Sequence, residues 1–271
     1  MGEVYYSTNG FSLYHADCRN IMKDFRDVDM IFADPPFFLS NDGLTIQSGK
    51  VVSVNKGDWD KCDDVDAFNY DWIKQARECL TPSGTIWICG TMHNIFSVYR
   101  TLNELDFKVL NTITWQKQNP PPNFSCRSFT HSTEFIIWAR KEKKVAHYYN
   151  YDLMKALNDG SPMKDVWTFP SISKWEKTQG KHPTQKPLSV VSRAILASTK
   201  KGGSILDPFC GSATTGIAAF LFGRNFLGVD IVPEYLKIGQ ERYIEVSKAP
   251  LSYIHKIKGI DYDIVVSMDG Q

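Results

Sequence analysis

Asp34-Pro35-Pro36-Phe37 follows directly on the apolar run Val28 to Ala33, and it is the stretch best equipped for chemistry. A short apolar run of this kind forms a buried parallel strand, so the Asp34 carboxylate falls at a carboxyl strand end. Two prolines fix φ and remove two backbone donors; the chain then leaves the sheet along a stiff, extended path with carbonyl acceptors exposed and an aromatic ring beside them. An acid, a carbonyl and a ring suit a flat molecule carrying an NH2 group. The exocyclic amine of adenine or cytosine is a poor nucleophile, because its lone pair is delocalised into the ring. Two acceptors gripping its two hydrogens pull the nitrogen towards sp3 geometry and free that pair while the ring stacks. The same four residues also make an ordinary strand-to-loop turn, so further sites have to be weighed with them.

A second constellation lies late in the chain. Gly203 to Leu206 reads as a strand entering Asp207-Pro208-Phe209-Cys210-Gly211-Ser212-Ala213-Thr214-Thr215, with a helix following through Phe222. Glycine lets backbone amides approach a ligand, and a helix start offers amides and a positive dipole to a carboxylate. About twenty residues on, the strand Asn225 to Val229 ends in Asp230, placed to accept hydrogen bonds from ribose hydroxyls. Asp17 likewise follows the strand Phe11 to His15. Ligands of parallel α/β sheets bind at carboxyl strand ends, so Asp17 and Asp34 are expected to face one crevice, although Asp17 serves equally well as a helix cap.

The elements that must hold these acids can be traced in order. Arg19 to Phe25 reads as one or two helical turns, and Leu39 to Asp60 as a long polar loop with a β-like patch at Val51, Val52 and Val54, expected to order over substrate. Asp64 or Asp66 caps a helix through Leu80, with Phe68, Trp72, Ala76 and Cys79 recurring at helical spacing as core. Pro82-Ser83-Gly84 turns into a strand at Thr85 to Cys89. A helix over Met92 to Leu105 and strands over Phe107 to Trp115 and Thr133 to Ala139 follow. Between Gln116 and Ser132, and from Lys141 to Lys186, regular periodicity fades. Lys117, Asn123, Arg127, His131, Tyr148, Tyr149, Lys155 and Lys164 fall there, basic and aromatic residues interleaved in the manner that grips phosphates and reads bases. The bland alternative is an irregular insertion held by its own aromatics.

Charge agrees with that placement. The 271 residues carry 31 basic and 30 acidic side chains, yet residues 1 to 80 hold 8 basic and 14 acidic, and residues 116 to 187 hold 12 basic and 6 acidic. The middle is therefore a cationic footprint for a polyanion, if not merely a solvated surface. Six cysteines without CxxC spacing point to reduced, mostly buried thiols in a cytoplasmic protein with no zinc cluster and no disulfide framework. No apolar run approaches the roughly 18 residues needed to cross a membrane, and the N-terminus lacks a signal-peptide pattern. A nicotinamide dehydrogenase would want GxGxxG after an early strand, which is absent.

DPPF at 34 to 37, HPTQKP at 182 to 187 and DPFCGSATT at 207 to 215, in that order, resemble the β-group of S-adenosylmethionine-dependent DNA amino-methyltransferases. The resemblance spans residues 11 to about 247. KGDWDK (56 to 61), FTHSTE (129 to 134), HYYNYDLMKALNDG (147 to 160) and MKDVW (163 to 167) further resemble the DpnA-type adenine methylases of restriction systems directed at GATC. The resemblance implies S-adenosyl-L-methionine as cofactor and Asp34, Pro35, Pro36 and Phe37 as the catalytic motif. It also implies a cofactor cradle of Asp207, Phe209, Gly211, Ser212, Thr214 and Thr215, Asp230 at the ribose, Asp17 near the cofactor adenine, Lys186 and Pro187 at its methionine end, and Cys18 and Ile231 as further cofactor contacts. Phe37 stands where the family usually has Tyr, and Ala213 where a second glycine is usual, which leaves a slightly less close backbone approach.

The implied fold is α/β, a doubly wound, Rossmann-like class I methyltransferase with a mixed seven-stranded sheet, circularly permuted, carrying an inserted target-recognition region. Residues 1–115 would be the catalytic-motif half, 116–181 the recognition insertion with a returning core strand, 182–249 the cofactor half, and 250–271 a tail without a functional reading. DNA is the expected partner, with a homodimer and a cognate restriction endonuclease as further expectations. N4-cytosine methylation uses the same amine logic, though Asp at position 34 leans towards adenine within the family. RNA or protein-amide methylation and an inactive cofactor-binding module that serves another methylase are the competing readings.

Overall fold

The computed structural model describes residues 2–38, 44–47, 50–53, 63–120, 122–123, 126–180 and 182–269, with only the backbone described at 44–47 and 50–53. In chain order the strands and helices are β1 (Glu3–Thr8), β2 (Phe11–His15), α1 (Cys18–Ile21), β3 (Val28–Ala33), β4 (Leu44–Gln47), β5 (Lys50–Ser53), α2 (Val65–Cys79), β6 (Leu80–Gly90), α3 (Ile95–Glu104), β7 (Lys108–Lys117), β8 (Thr133–Arg140), α4 (Tyr151–Ala156), β9 (Val166–Phe169), α5 (Leu188–Ser198), β10 (Ser204–Asp207), α6 (Thr214–Leu221), β11 (Asn225–Asp230), α7 (Pro233–Lys248), α8 (Pro250–Ile254) and α9 (Tyr262–Met268).

Nine strands form one sheet in the order β1-β2-β11-β10-β3-β6-β8-β7-β9, and β4 and β5 pair separately. The five strands from β2 to β6 run parallel, while β8 runs antiparallel to both β6 and β7. This corrects the expected seven strands: β1 adds at one edge, antiparallel to β2, and β9 at the other, parallel to β7. Val166–Phe169 lies in a stretch without regular periodicity in the sequence, because four residues are too few for alternation to stand out. Buried Trp167 and Phe169 alternate with exposed Val166 and Thr168, which is the pattern of a half-buried edge strand.

Both faces of the central sheet are covered. Met30 and Phe32 of β3 and Trp87 and Cys89 of β6 point into a core shared with α5, α6 and α7. Ile31, Ala33, Ile86 and Ile88, one residue out of phase, point into a core shared with α1, α2 and α3. Burial on both faces is why these strands read as continuous apolar runs. Helix α2 starts where expected, with the Asp64 side chain accepting from the Ala67 amide at 2.9 Å. It ends directly in a strand: Val28 pairs with Leu80 and Met30 with Thr85, so Pro82-Ser83-Gly84 is a bulge inside β6 rather than a turn before it.

The tail is structural. Ile254, Ile257, Ile260 and Val265 bury their side chains in the core beside α5 and α6, and the buried guanidinium of Arg224 grips both oxygens of Asp269, one of them at 2.8 Å. Of the cysteines, Cys18, Cys79, Cys89 and Cys210 are buried free thiols and Cys126 is an exposed one, with no disulfide among the described residues; Cys62 lies outside them. No helix among the described residues is long and apolar enough to cross a membrane. Because removing one partner of a buried pair strands the other charge, Asp269→Ala is expected to cost about 3–5 kcal/mol of unfolding free energy in urea titrations.

Candidate active site

Four aspartates sit at the carboxyl ends of four neighbouring parallel strands. Across the sheet these are Asp17 just past β2, Asp230 ending β11, Asp207 ending β10 and Asp34 just past β3. All four line one cavity of about 140 Å³. That is about ten times what a single water needs by a comparable measure, so the space suits an extended organic ligand rather than an ion.

Each acid is held differently. The Asp17 side chain accepts from the Arg19 amide at 2.9 Å, capping α1, and also pairs with the Arg19 guanidinium at 2.6 Å. Capping and pocket lining are therefore the same residue's work. Burial pushes the Asp17 carboxyl up, but the Arg19 hydrogen bonds and charge outweigh it and hold the group below the usual carboxylate range. Asp230 accepts from the amides of Gly211 at 2.8 Å and Val232 at 2.9 Å. Asp207 accepts from the Phe209 amide at 3.0 Å and from the Thr215 hydroxyl at 2.5 Å. With no cation paired to either, burial pushes Asp207 up to about 7 and Asp230 up to about 6.

The turn from β10 to α6 forms the floor. Gly211 has φ +50, and a Cβ there would lie 2.8 Å from the His182 ring nitrogen, so glycine lets the HPTQKP segment close over the turn. Ala213 is also left-handed, at φ 58, but its buried methyl points away from the cavity towards Gly239, whose own Cβ would meet it at 2.9 Å. The family's missing glycine is thus accommodated behind the turn, and the backbone approach at the ligand side is left intact. The walls are Phe68, Arg19, Cys18, Tyr235 and Ile231, the last 50% exposed at the rim. Buried Gln185, in the lining, donates to the Glu176 carbonyl at 2.9 Å, while its buried Oε1 accepts no hydrogen bond among the described residues.

Lys186 faces both the cavity and two carboxylates. It lines the cavity, yet its ammonium is bound to Asp34 at 2.7 Å and lies 3.4 Å from Glu134, which Lys117 holds at 2.6 Å. Burial favours the neutral amine, but Asp34 and Glu134 outweigh it and push the Lys186 group up; Glu134, despite burial, is held down by Lys186 and Lys117. Asp34 and Pro36 line the cavity, whereas Pro35 and Phe37 do not; the Phe37 ring is 7% exposed, with the Lys186 ammonium 5.0 Å from its centroid. Pro187 serves as the N-cap residue of α5 behind the lining. Burial pushes the Cys89 and Cys210 thiols well up, so neither is a ready nucleophile.

The residues expected to meet DNA divide into two groups. The amide of Lys117 donates to the Ser132 carbonyl at 2.8 Å, rooting the loop that carries Asn123, Arg127 and His131 at the pocket edge of the sheet. Lys117 itself is engaged by Glu134, and the Asn123 side chain donates to Ser128. Tyr148 and Tyr149 are not brought to this edge. The Asn150 amide donates to Ala197 near the end of α5, Lys200 lies 5.5 Å over the Tyr148 ring, and Tyr149 packs on Trp138 at 5.6 Å, all at the amino edge of the parallel strands. Lys155 is exposed on α4, whose Leu153 and Met154 bury into the core, and exposed Lys164 immediately precedes edge strand β9. The long loop expected to close over substrate, with KGDWDK, lies outside the described residues except for the β4–β5 backbone, as do Phe124 and Lys181. Sequence reasoning missed Glu134, at the start of a strand with no local signal, and took Phe68 for core because it shares a helical stripe with Trp72.

A parallel core with one antiparallel return, a glycine-turn cradle and a separate acid at the next strand end define a group-transfer enzyme of the class I methyltransferase type. The chain belongs to the DNA methylase family, whose model for N6 and N4 enzymes matches residues 28–241. It is 57% identical over 242 residues to Type II methyltransferase M2.MboI of Moraxella bovis, covering 88% of this chain and 89% of that one. To Type II methyltransferase M2.DpnII of Streptococcus pneumoniae it is 56% identical over 248 residues, covering 89% and 92%. Among solved structures, the M1.HpyAVI–SAM complex superposes with a TM-score of 0.66 at 31% identity, covering 86% of this chain and 98% of that one. The cytosine-N4-specific PvuII DNA methyltransferase, at 19% identity, TM-score 0.71 and 89% coverage of each chain, shares the fold.

Two outcomes follow from the cradle. Asp207 and Asp230 are raised above the ordinary carboxylate value near 3.8; their contribution to stability is present at low pH and lost as pH rises through about 6 to 7. Thermal unfolding of the ligand-free protein between pH 5 and 8 should show this slope, and Asp207→Asn should flatten it. Gly239→Ala forces two methyl groups together and is expected to cost about 1–3 kcal/mol in denaturant titrations, with most of that loss removed in the double variant Gly239→Ala, Ala213→Gly.

Proposed function

We propose that the protein transfers a methyl group from S-adenosyl-L-methionine to N6 of adenine in DNA, within GATC, as the modification enzyme of a restriction system in the cytoplasm. The observation that carries this reading is that Asp34 opens into the same cavity as Asp207, Gly211 and Asp230, so an amine-gripping acid and a nucleotide cradle share one space. The likeness to the M2 methyltransferases of MboI and DpnII supports the base and the target sequence.

The residues present fit the cofactor. Asp230 would take the ribose hydroxyls, Ile231 and Phe68 would flank the adenine near Asp17 and Cys18, and the open acceptor of Gln185 suits an ammonium at the methionine end beside Lys186. Ser212, Thr214 and Thr215, beside Asp207 and Phe209, shape the turn that receives it. When bound, the cofactor supplies an activated methyl on a sulfonium. The chain's part is alignment: Asp34 and the Pro35 carbonyl accept the two amine hydrogens, Pro36 keeps the segment stiff, and the Phe37 face stacks on the extruded base. Extrusion costs a few kcal/mol, which phosphate contacts from Arg127 and His131, with Asn123 near them, would offset.

The strand order supports a permuted class I sheet. Read from β10 through β11, then from β2 onward, the chain traces the unpermuted connectivity, with residues 1–115 and 182–249 as the catalytic and cofactor halves and 116–181 carrying target recognition. Exposed Met92, Phe96 and Tyr99 on or beside α3 support a homodimer, and the restriction context supports a cognate endonuclease.

Modified-base sequencing of DNA from cells expressing the chain should report N6-methyladenine at GATC; methylcytosine, or no modification, would refute the base assignment. Asp34→Ala should lower methyl transfer by about a hundredfold or more while cofactor binding, read by calorimetry, persists.

A further inference from the structure

The acceptor and the aromatic face that a target base needs are both taken in this structure. Lys186 binds Asp34 at 2.7 Å and places its ammonium 5.0 Å from the centre of the buried Phe37 ring. A base amine approaching Asp34 must displace that ammonium. Release of the cation to water is disfavoured, because the Lys186 side chain is buried, and loss of its proton would remove one positive charge from between the two carboxylates, Asp34 and Glu134.

A second carboxylate offers the alternative. Glu134 Oε2 lies 3.4 Å from the same ammonium, and the opposite oxygen of Glu134 is fixed by Lys117 at 2.6 Å. The lysine backbone is fixed as well: the Leu188 amide donates to Glu176 at 2.7 Å and Pro187 leads straight into α5. Only the side chain is left to move, and a short slide from one carboxylate to the other keeps the ammonium compensated throughout.

We propose that Lys186 holds the place of the target amine in the resting pocket and yields Asp34 to the incoming base by moving its ammonium onto Glu134. Glu134 is then a positioning residue, with Lys117 holding it ready. This rests on the reading of Asp34 as the acceptor for a base amine, and it goes beyond that reading by naming what occupies the acceptor beforehand and where it goes.

Base entry can be read without cofactor, from the fluorescence of a duplex carrying 8-vinyladenine, a fluorescent analogue that keeps the 6-amino group, in place of the GATC adenine. Lys186→Met should increase the bound-state signal or tighten binding by about threefold or more, and Glu134→Gln should reduce it by a similar factor, because the ammonium loses its second site. The double variant should follow Lys186→Met, since no cation is left to relocate. Calorimetric cofactor affinity within about twofold of wild type in Glu134→Gln would exclude general damage to the fold. If Glu134→Gln does not fold, the Lys186→Met measurement decides alone. A Lys186→Met signal at or below wild type, or a double variant that follows Glu134→Gln, overturns the handover while the function reading stands. No response to the duplex with the wild-type protein overturns that reading and the handover together.

Discussion

Carboxylates at the ends of parallel strands are costly to bury, and this fold sets four of them side by side, one fully buried and three partly so. The sheet imposes the arrangement: β2, β11, β10 and β3 are adjacent and point the same way, so whatever follows each strand converges on one edge. What differs is how each charge is met. A guanidinium meets Asp17, backbone amides meet Asp230, a hydroxyl and an amide meet Asp207, and an ammonium meets Asp34. The two acids without a cation are the two whose protonation burial favours. The gradient across the edge therefore runs from a paired, partly solvated acid through two whose pKa values are raised to a second paired one. A single ligand laid along this edge would meet a different environment at each end.

The Asp34 end is coupled to the rest of the molecule through Lys186, Glu134 and Lys117, two cations and two anions arranged so that no charge is left alone. That network joins three separate chain segments: the turn after β3, the β7–β8 pair and the segment before α5. The β7–β8 pair also roots the loop bearing Arg127 and His131. Any contact that loop made with a polyanion would reach Asp34 through three ion pairs, Lys117–Glu134, Glu134–Lys186 and Lys186–Asp34, a short physical path between the outer surface and the proposed chemistry.

Rigidity comes from packing. β3 and β6 are buried on both faces, α5 is buried along its whole length, and the tail closes over α5 and α6 with a buried Arg224–Asp269 pair. Tyr148 and Tyr149, read in the sequence as part of a recognition surface, pack under Lys200 and against Trp138 respectively on this scaffold. Their aromatic bodies cover the amino edge of the sheet, where β10 begins rather than where it ends. The cationic excess of the middle region is thus shared between the pocket loop, a buried ion-pair network and outer surfaces remote from the cleft.

By itself the sequence determined the local events: the seven central strands, a helix started by Asp64 or Asp66, an acid closing each of four strands, and a glycine turn at 211. These depend on periodicity, capping and backbone sterics, all of which act within a few residues. The three motifs also disclosed the family. Only the tertiary structure decided that the sheet has nine strands, that Phe68 belongs to the pocket and that Lys186 faces Asp34 instead of lying only along the ligand. It alone placed Glu134 at the centre of the charge network and the tyrosines away from the cleft. Each of these is a contact between residues far apart in the chain, set by which strands neighbour one another and how buried charges find partners, and no local pattern encodes it.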